Sequence, residues 1–319
     1  MSILSKPYFH DEKAAFEYVE SILWADGPEC PHCGGLERAY KLEGVRTKAS
    51  RKNPEGKERH GLWKCGHCRK QFTVRKGTIF EESHLPLTKW LQAIYLMVSS
   101  KKGISAHQLH RILEVQYKTA WFLAHRIREA MSQGALNPFG MGGGGVEIDE
   151  TFIGTEPGAV KKRNFRHKMK VLTLVDRDTK QARSVVIDDL KPTTIAPIVN
   201  ANVSTEAKIL TDQARHYKYM MGRFKGGHHT VNHTDKEYVS WTNPEVHTQT
   251  VENYYSVFKR GMKGTYQHCA KHHLHRYLAE FDFRYNHRSA NGVEDGERAV
   301  LALRGVKGKR LKYKPNQCC

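Results

Sequence analysis

The 319-residue chain has no apolar run long enough to cross a bilayer. Its longest, residues 90–98, includes Gln92 and is about half of the roughly 20 residues that a helical span requires. Its first residues show no basic stretch followed by an apolar core, so no secretory leader is expected and the default compartment is cytoplasmic. Nucleotide-loop signatures are missing as well. The four glycines at 142–145 fit neither G-x-x-x-x-G-K-[ST] nor G-x-G-x-x-G, and read instead as a hinge at a domain boundary. Acid is in short supply: 33 Asp and Glu face 52 Lys and Arg, a net charge of +19 with histidine neutral. That excess is too large for an ordinary cytosolic metabolic enzyme and points to a polyanionic partner, nucleic acid first. A hydrophobic fraction of 39% with 10% aromatics excludes wholesale disorder.

The charge is unevenly placed. Residues 1–33 carry four more acids than bases, residues 34–76 are +9, residues 77–252 are +5 and residues 253–319 are +9. The two strongly basic blocks, one around the cysteine pairs and one at the C-terminal end, are where a polyanion is expected to lie.

Seven cysteines are present, and four form two C-x-x-C pairs, Cys30/Cys33 and Cys65/Cys68, with 31 residues between the pairs. In a reducing compartment such pairs read as metal ligands before disulfides. Two knuckles of two thiolates close a tetrahedral S4 shell that suits structural Zn2+. His32 and His67 lie inside the knuckles as alternative ligands, and separate redox sites are the weaker reading. Cys269 reads as a core or surface thiol, and Cys318 and Cys319 as incidental.

Residues 11–24 have the spacing of a short amphipathic helix, and 46–60 read as an exposed basic loop. From 86 to 131 a strongly apolar helix, a short helix, a break at 114–117 and a longer basic helix resemble a helix-turn-helix, with His125, Arg126 and Arg128 available to DNA. Beyond the glycines come three short β-rich runs, a helix, a strand at 207–211 and further helices, a mixed α/β order. The expected domains are 1–83 (helix and ribbon), 84–138 (helical), 139–290 (catalytic) and 291–319 (basic tail).

Three acids stand out. Asp149 lies in an alternating strand and faces opposite to Ile148; Asp212 follows the strand KILT at its carboxyl end, where α/β sheets commonly build sites; Glu252 opens a helical run with Lys259 two turns further along the same face. Converging carboxylates hold paired Mg2+ for phosphodiester chemistry. Turn-forming and solvated-charge roles are the bland alternatives for each. Asp176, Asp178, Asp188 and Asp189 fit turns better.

The strings GVEIDETFIG, ILTDQARHYKY, VNHTDKEYV and VHTQTVENYYSVFKRGMKGTYQHCAKHHLHRYLAEFDFRYNHR resemble the transposase domain of bacterial insertion sequences of the ISXO-type group, and CPHCGG with WKCGHCRKQF is similar to the zinc ribbon such proteins carry. The resemblance spans about residues 12–290. It implies an RNase H-like α/β fold with a DDE-type site that cuts and rejoins DNA at element ends with Mg2+ or Mn2+, in a bacterial, nucleoid-associated homo-oligomer. On the matching positions the acids are Asp149, Asp212 and Glu252, with Lys259 as the basic residue seven places on. Many relatives carry Asn at the position of Gln249; Glu252 is taken as third ligand because a carboxylate binds Mg2+ better than an amide. Arg260 and Lys263 are expected on phosphates, with His247, Gln249 and Asn253 as accessory groups. Rival readings are a non-catalytic zinc-ribbon regulator and a stand-alone nuclease of the RNase H type.

Overall fold

The computed structural model describes residues 2–311 except 52, 133, 135, 136, 161, 162, 215, 218–221, 233, 234, 236 and 238. Cys318 and Cys319 lie outside the described residues. The chain divides into two compact units, one from Met1–Ser100, Ile104–Met131 and Glu294–Cys319, the other from Lys101–Gly103 and Ser132–Val293.

In the first unit, helix α1 (Glu12–Leu23) starts where the Asp11 carboxylate accepts the Ala14 N–H at 2.7 Å, and it buries Phe16 and Val19. N-cap acids of this kind satisfy an orphan donor at the positive end of the helix. Three short antiparallel strands follow, β1 (Ala39–Lys41), β2 (Trp63–Cys65) and β3 (Gln71–Phe72). Their core is small: Cys30, Cys65 and Phe72, flanked by Trp24 and Trp63. The Trp63 indole N–H donates to Glu20 of α1 at 3.0 Å, tying ribbon to helix.

Helices α2 (Leu87–Ser99), α3 (Ala106–Leu113) and α4 (Tyr117–Met131) pack on one another. A capping box at Ser105 and Gln108 opens α3, and Glu114 in the left-handed region closes it. The segment past 290 is more than a tail, since α8 (Asp295–Arg304) packs against α1, α2 and α4 of this unit.

The second unit is built on a five-stranded mixed sheet. Its strands are β4 (Gly145–Ile153), β5 (Met169–Asp176), β6 (Gln181–Ile187), β7 (Lys208–Asp212) and β8 (His228–Val231), in the order β6-β5-β4-β7-β8. The first three form an antiparallel meander, and β7 and β8 run parallel to β4. Helix α5 (Pro192–Asn202) covers one face, where Val146, Ile148, Leu172, Leu174 and Ile209 meet Ile195 and Val199. Helices α6 (Gln249–Gly261) and α7 (Lys271–Asn286) cover the other, on Ile153, Val171 and Val175. Period-2 alternation therefore puts Glu147 and Asp149 toward the α6 face.

The glycines at 142–145 form a fitted turn at the start of β4 instead of a free hinge. The Gly140 N–H rests on the Asp176 carboxylate at 2.8 Å, and the Gly144 carbonyl accepts from Lys208. A Cβ at Gly144 would stand 2.2 Å from the Asp178 carboxylate, so a larger side chain has no room there. Among the described residues no helix is long and apolar enough to cross a membrane.

Candidate active site and zinc site

The parallel register pairs Glu147 of β4 with Leu210 of β7, so two residues further along each strand Asp149 stands level with Asp212. Glu252 lies in the first turn of α6, the helix that packs on β4 and β5. The Asp149 carboxyl is pushed well above the ordinary carboxylate range, first by burial and then by the charges of Glu150, Asp212 and Glu252. The charges of Asp212 and Glu252 thus bear on Asp149 from the neighbouring strand and the covering helix. No three of their oxygens lie within 4.8 Å of one another, a separation met among the described residues by the four thiols alone. An all-oxygen donor set with mutual repulsion is chemically fitted to a hard divalent cation such as Mg2+, whose charge offsets that repulsion.

Around the acids the chain supplies structure. Tyr255 of α6 donates its hydroxyl to the Asp149 carbonyl at 2.6 Å. The Lys259 ammonium sits 5.8 Å over the Tyr255 ring. Burial lowers its pKa, the Asp149 charge pulls it back up, and Lys263 and Lys168 lower it. A cluster of positive charge therefore borders the acids. Lys263 is exposed on the π-helical turn Met262–Tyr266 that follows α6. Arg260 is exposed and folds back on Ser256, with Nε 3.0 Å from its carbonyl. Gln249 and Asn253 are exposed on the first turns of α6.

The sequence alone did not single out Glu147. Its side chain is fully buried in β4, accepts from the Arg177 Nε at 2.7 Å and from the Val251 backbone N–H at 2.9 Å. Arg177 in turn donates to Nδ1 and to the carbonyl of His247, both at 2.8 Å. His247 Nδ1 is thereby committed as an acceptor, and burial together with Arg177 lowers the ring's pKa against the pull of Glu147. The network joins β4, which carries Asp149, to the first turn of α6, which carries Glu252. The only sequence signal for it was an acid two positions before Asp149 on the same strand face. On the opposite face Glu150 accepts from the Tyr217 hydroxyl and from His216 Nε2 at 2.9 Å, which holds the loop after β7.

The α4 residues assigned to DNA require correction. His125, Arg126 and Arg128 are 0%, 5% and 3% exposed. Arg126 donates to the Glu81 carbonyl at 2.6 Å and lies over the Trp90 and Phe122 rings, while His125 packs on Trp121. Most of the second half of α4 is buried, and the long apolar stems of Arg allow such residues to occupy these positions. Exposed basic side chains of this helix pair are Arg111 and Lys118. The C-terminal charge is likewise partly spent inside the protein: Arg284 pairs with buried Glu280, Arg298 with Asp295, Arg310 with Glu82 at 2.6 Å, and Lys307 with Glu29.

In the ribbon, the Sγ atoms of Cys30 and Cys68 are 3.6 Å apart and those of Cys33 and Cys65 3.7 Å apart, and all four lie within 4.8 Å of one another. Backbone N–H groups of Cys68 and, less strongly, His67 pull the Cys65 thiol down to about 7 against desolvation. This arrangement suits tetrahedral Zn2+. Stripping the metal with a chelator, or Cys65→Ser, is expected to release about one zinc per chain and to unfold the ribbon, because so small a core does not hold alone. Metal analysis alongside tryptophan fluorescence of Trp24 and Trp63 checks it.

The thiolate ribbon lies in one unit and the three acids on the mixed sheet of the other. Residues 10–71 match the transposase zinc-ribbon domain and residues 141–286 the ISXO2-like transposase domain. The chain thus carries both a transposase zinc ribbon and an ISXO2-like transposase domain. It is also 25% identical over 291 residues, 86% of this chain and 91% of the relative, to an uncharacterized protein in the transposable element ISH50 of Halobacterium salinarum.

Proposed function

We propose that this protein cuts DNA at the ends of an insertion sequence and joins the freed ends to target DNA, through a DDE-type site on an RNase H-like fold. The observation that carries the reading is the shared electrostatics of Asp149, Asp212 and Glu252, set on adjacent parallel strands and a covering helix. The sheet order, a meander of three strands extended by two parallel ones, supports the fold assignment. Mg2+ or Mn2+ held by these carboxylates supplies an activated hydroxyl and a charge to steady the leaving oxygen. Glu252 is the third ligand in this reading, because its charge bears on Asp149 and an amide at Gln249 carries none.

Lys259 and Lys263 steady phosphates beside the cut, and Arg111 and Lys118 are the exposed positions through which the helical segment meets duplex DNA. Gln249 and Asn253 orient the strand. Two ends must be processed together, so the working form is a homo-oligomer on DNA. The test is to incubate the protein with Mg2+ and a duplex ending in its own element's terminal sequence. The expected products are a free 3′-hydroxyl at the element end and its covalent joining to target DNA. Salt-sensitive binding without nicking would instead support a regulator, and cutting without joining a simple nuclease.

A further inference from the structure

The connection between β4 and β5, residues 154–168, leaves β4 five residues beyond Asp149. Residues 154–170 hold six basic side chains against one acid, a net +5 that equals the whole surplus of residues 77–252. Two of the six, Lys161 and Lys162, lie outside the described residues; the other four are Arg163, Arg166, Lys168 and Lys170. The base of the connection is fixed: Ile153 and Met169 sit in the core shared with α6 and α7, and Glu156 holds Lys170 at 3.0 Å and Lys271 of α7 at 3.5 Å.

On this fixed base an aromatic ring is presented to solvent. Phe165 is 59% exposed, yet it is held in place, stacked on Phe152 with ring centroids 4.9 Å apart and planes at 17°. The Asn164 side chain accepts the Arg166 N–H at 3.1 Å and closes the turn that carries the ring. Lys168 Nζ lies 5.3 Å from the Phe165 ring, and Arg163 and Arg166 are exposed beside it. The same Lys168 is near enough to Lys259 to act on its charge, which connects the ring to the border of the acids. An exposed ring held among bases matches how proteins take hold of unpaired nucleotides: bases stack on the aromatic face and phosphates lie on the cations.

We propose that residues 163–168 form a clamp for a single DNA strand, with Phe165 stacking an unpaired base and Arg163, Arg166 and Lys168 holding its phosphates. It rests on DNA being the substrate but not on the chemistry of the acids. The test therefore measures binding without added Mg2+, by fluorescence anisotropy, with two labelled probes of equal length: a blunt duplex and a duplex with a single-stranded thymidine arm. Phe165→Ala is expected to weaken binding of the armed probe about tenfold, the size of one lost base–aromatic stack, and to leave the blunt duplex unchanged. Phe165→Trp should restore it, with its indole fluorescence quenched by the arm.

Arg163→Ala with Arg166→Ala should lower the slope of log affinity against log salt by about 0.7 for each charge on the armed probe. Equal effects of Phe165→Ala on both probes, or no effect on either, would overturn the clamp. Tighter binding of an RNA strand than of the DNA arm would overturn its assignment to DNA. A protein that never cuts would still show the arm dependence, so the two readings fail separately.

Discussion

Asp149→Asn protein should bind DNA as the wild type does and cut it at least about 10³-fold more slowly, a loss of about 4 kcal/mol of transition-state stabilisation. The amide keeps the shape of the carboxylate but removes the charge that a divalent ion needs. The substitution should also stabilise the metal-free protein. Burial and the neighbouring charges of Glu150, Asp212 and Glu252 raise the folded-state pKa of Asp149, so folding favours the protonated carboxyl. That contribution is complete below the ordinary carboxylate range and is lost as pH rises through the raised folded value. The variant's advantage in melting temperature should therefore grow from mildly acidic toward neutral pH, and Mg2+ should narrow it by stabilising the wild type only. A melting temperature that is equal in the two proteins at every pH, with cutting intact, would remove Asp149 from the site.

The second large effect is expected at Glu147. Truncation to Ala leaves Arg177 and the Val251 N–H without the carboxylate that both use. Removing one partner of a buried pair costs about 3–5 kcal/mol, and because the Arg177 side chain is 19% exposed the lower end applies. About 3 kcal/mol corresponds to a drop of roughly 6–12 °C in the melting of a unit this size. Glu147→Gln, which keeps the shape, should lose less. At temperatures where the Ala variant is still folded, its Mg2+ requirement for cutting should rise, because the first turn of α6 and with it Glu252 are no longer fixed to β4. Denaturant titration and a Mg2+ dependence of cutting separate the two consequences, and an unchanged Mg2+ requirement would confine Glu147 to stability.

These two residues show where the sequence could be read. Asp149 stood out because alternation in V-E-I-D-E fixes its face and because the string GVEIDETFIG resembles the transposase domain, which places an acid there. Glu147 has the same alternation, but its partners Arg177 and Val251 lie 30 and 104 residues away, and no local pattern carries that pairing. The cysteine knuckles were legible since both ligands of each pair are local. Helix α4 shows the converse: hydrophobic periodicity identified the helix, yet the burial of Arg126 and Arg128 depends on Glu81, Trp90 and the elements packed around them. Strand β8, His-His-Thr-Val, is short and mostly polar, and only its parallel pairing with β7 makes it a strand.

The first unit is assembled from both ends of the chain, and synthesis makes that a matter of timing. Helix α8 packs against α1, α2 and α4 but is translated after the whole of the second unit. At about 5–20 residues per second, the ribbon and its helices wait on the order of ten seconds or more for their last wall. A message cut short before residue 294 yields a chain with its sheet and acids present, but with the faces of α2 and α4 that α8 covers left bare. Only a chain translated through α8 can close the ribbon-bearing unit.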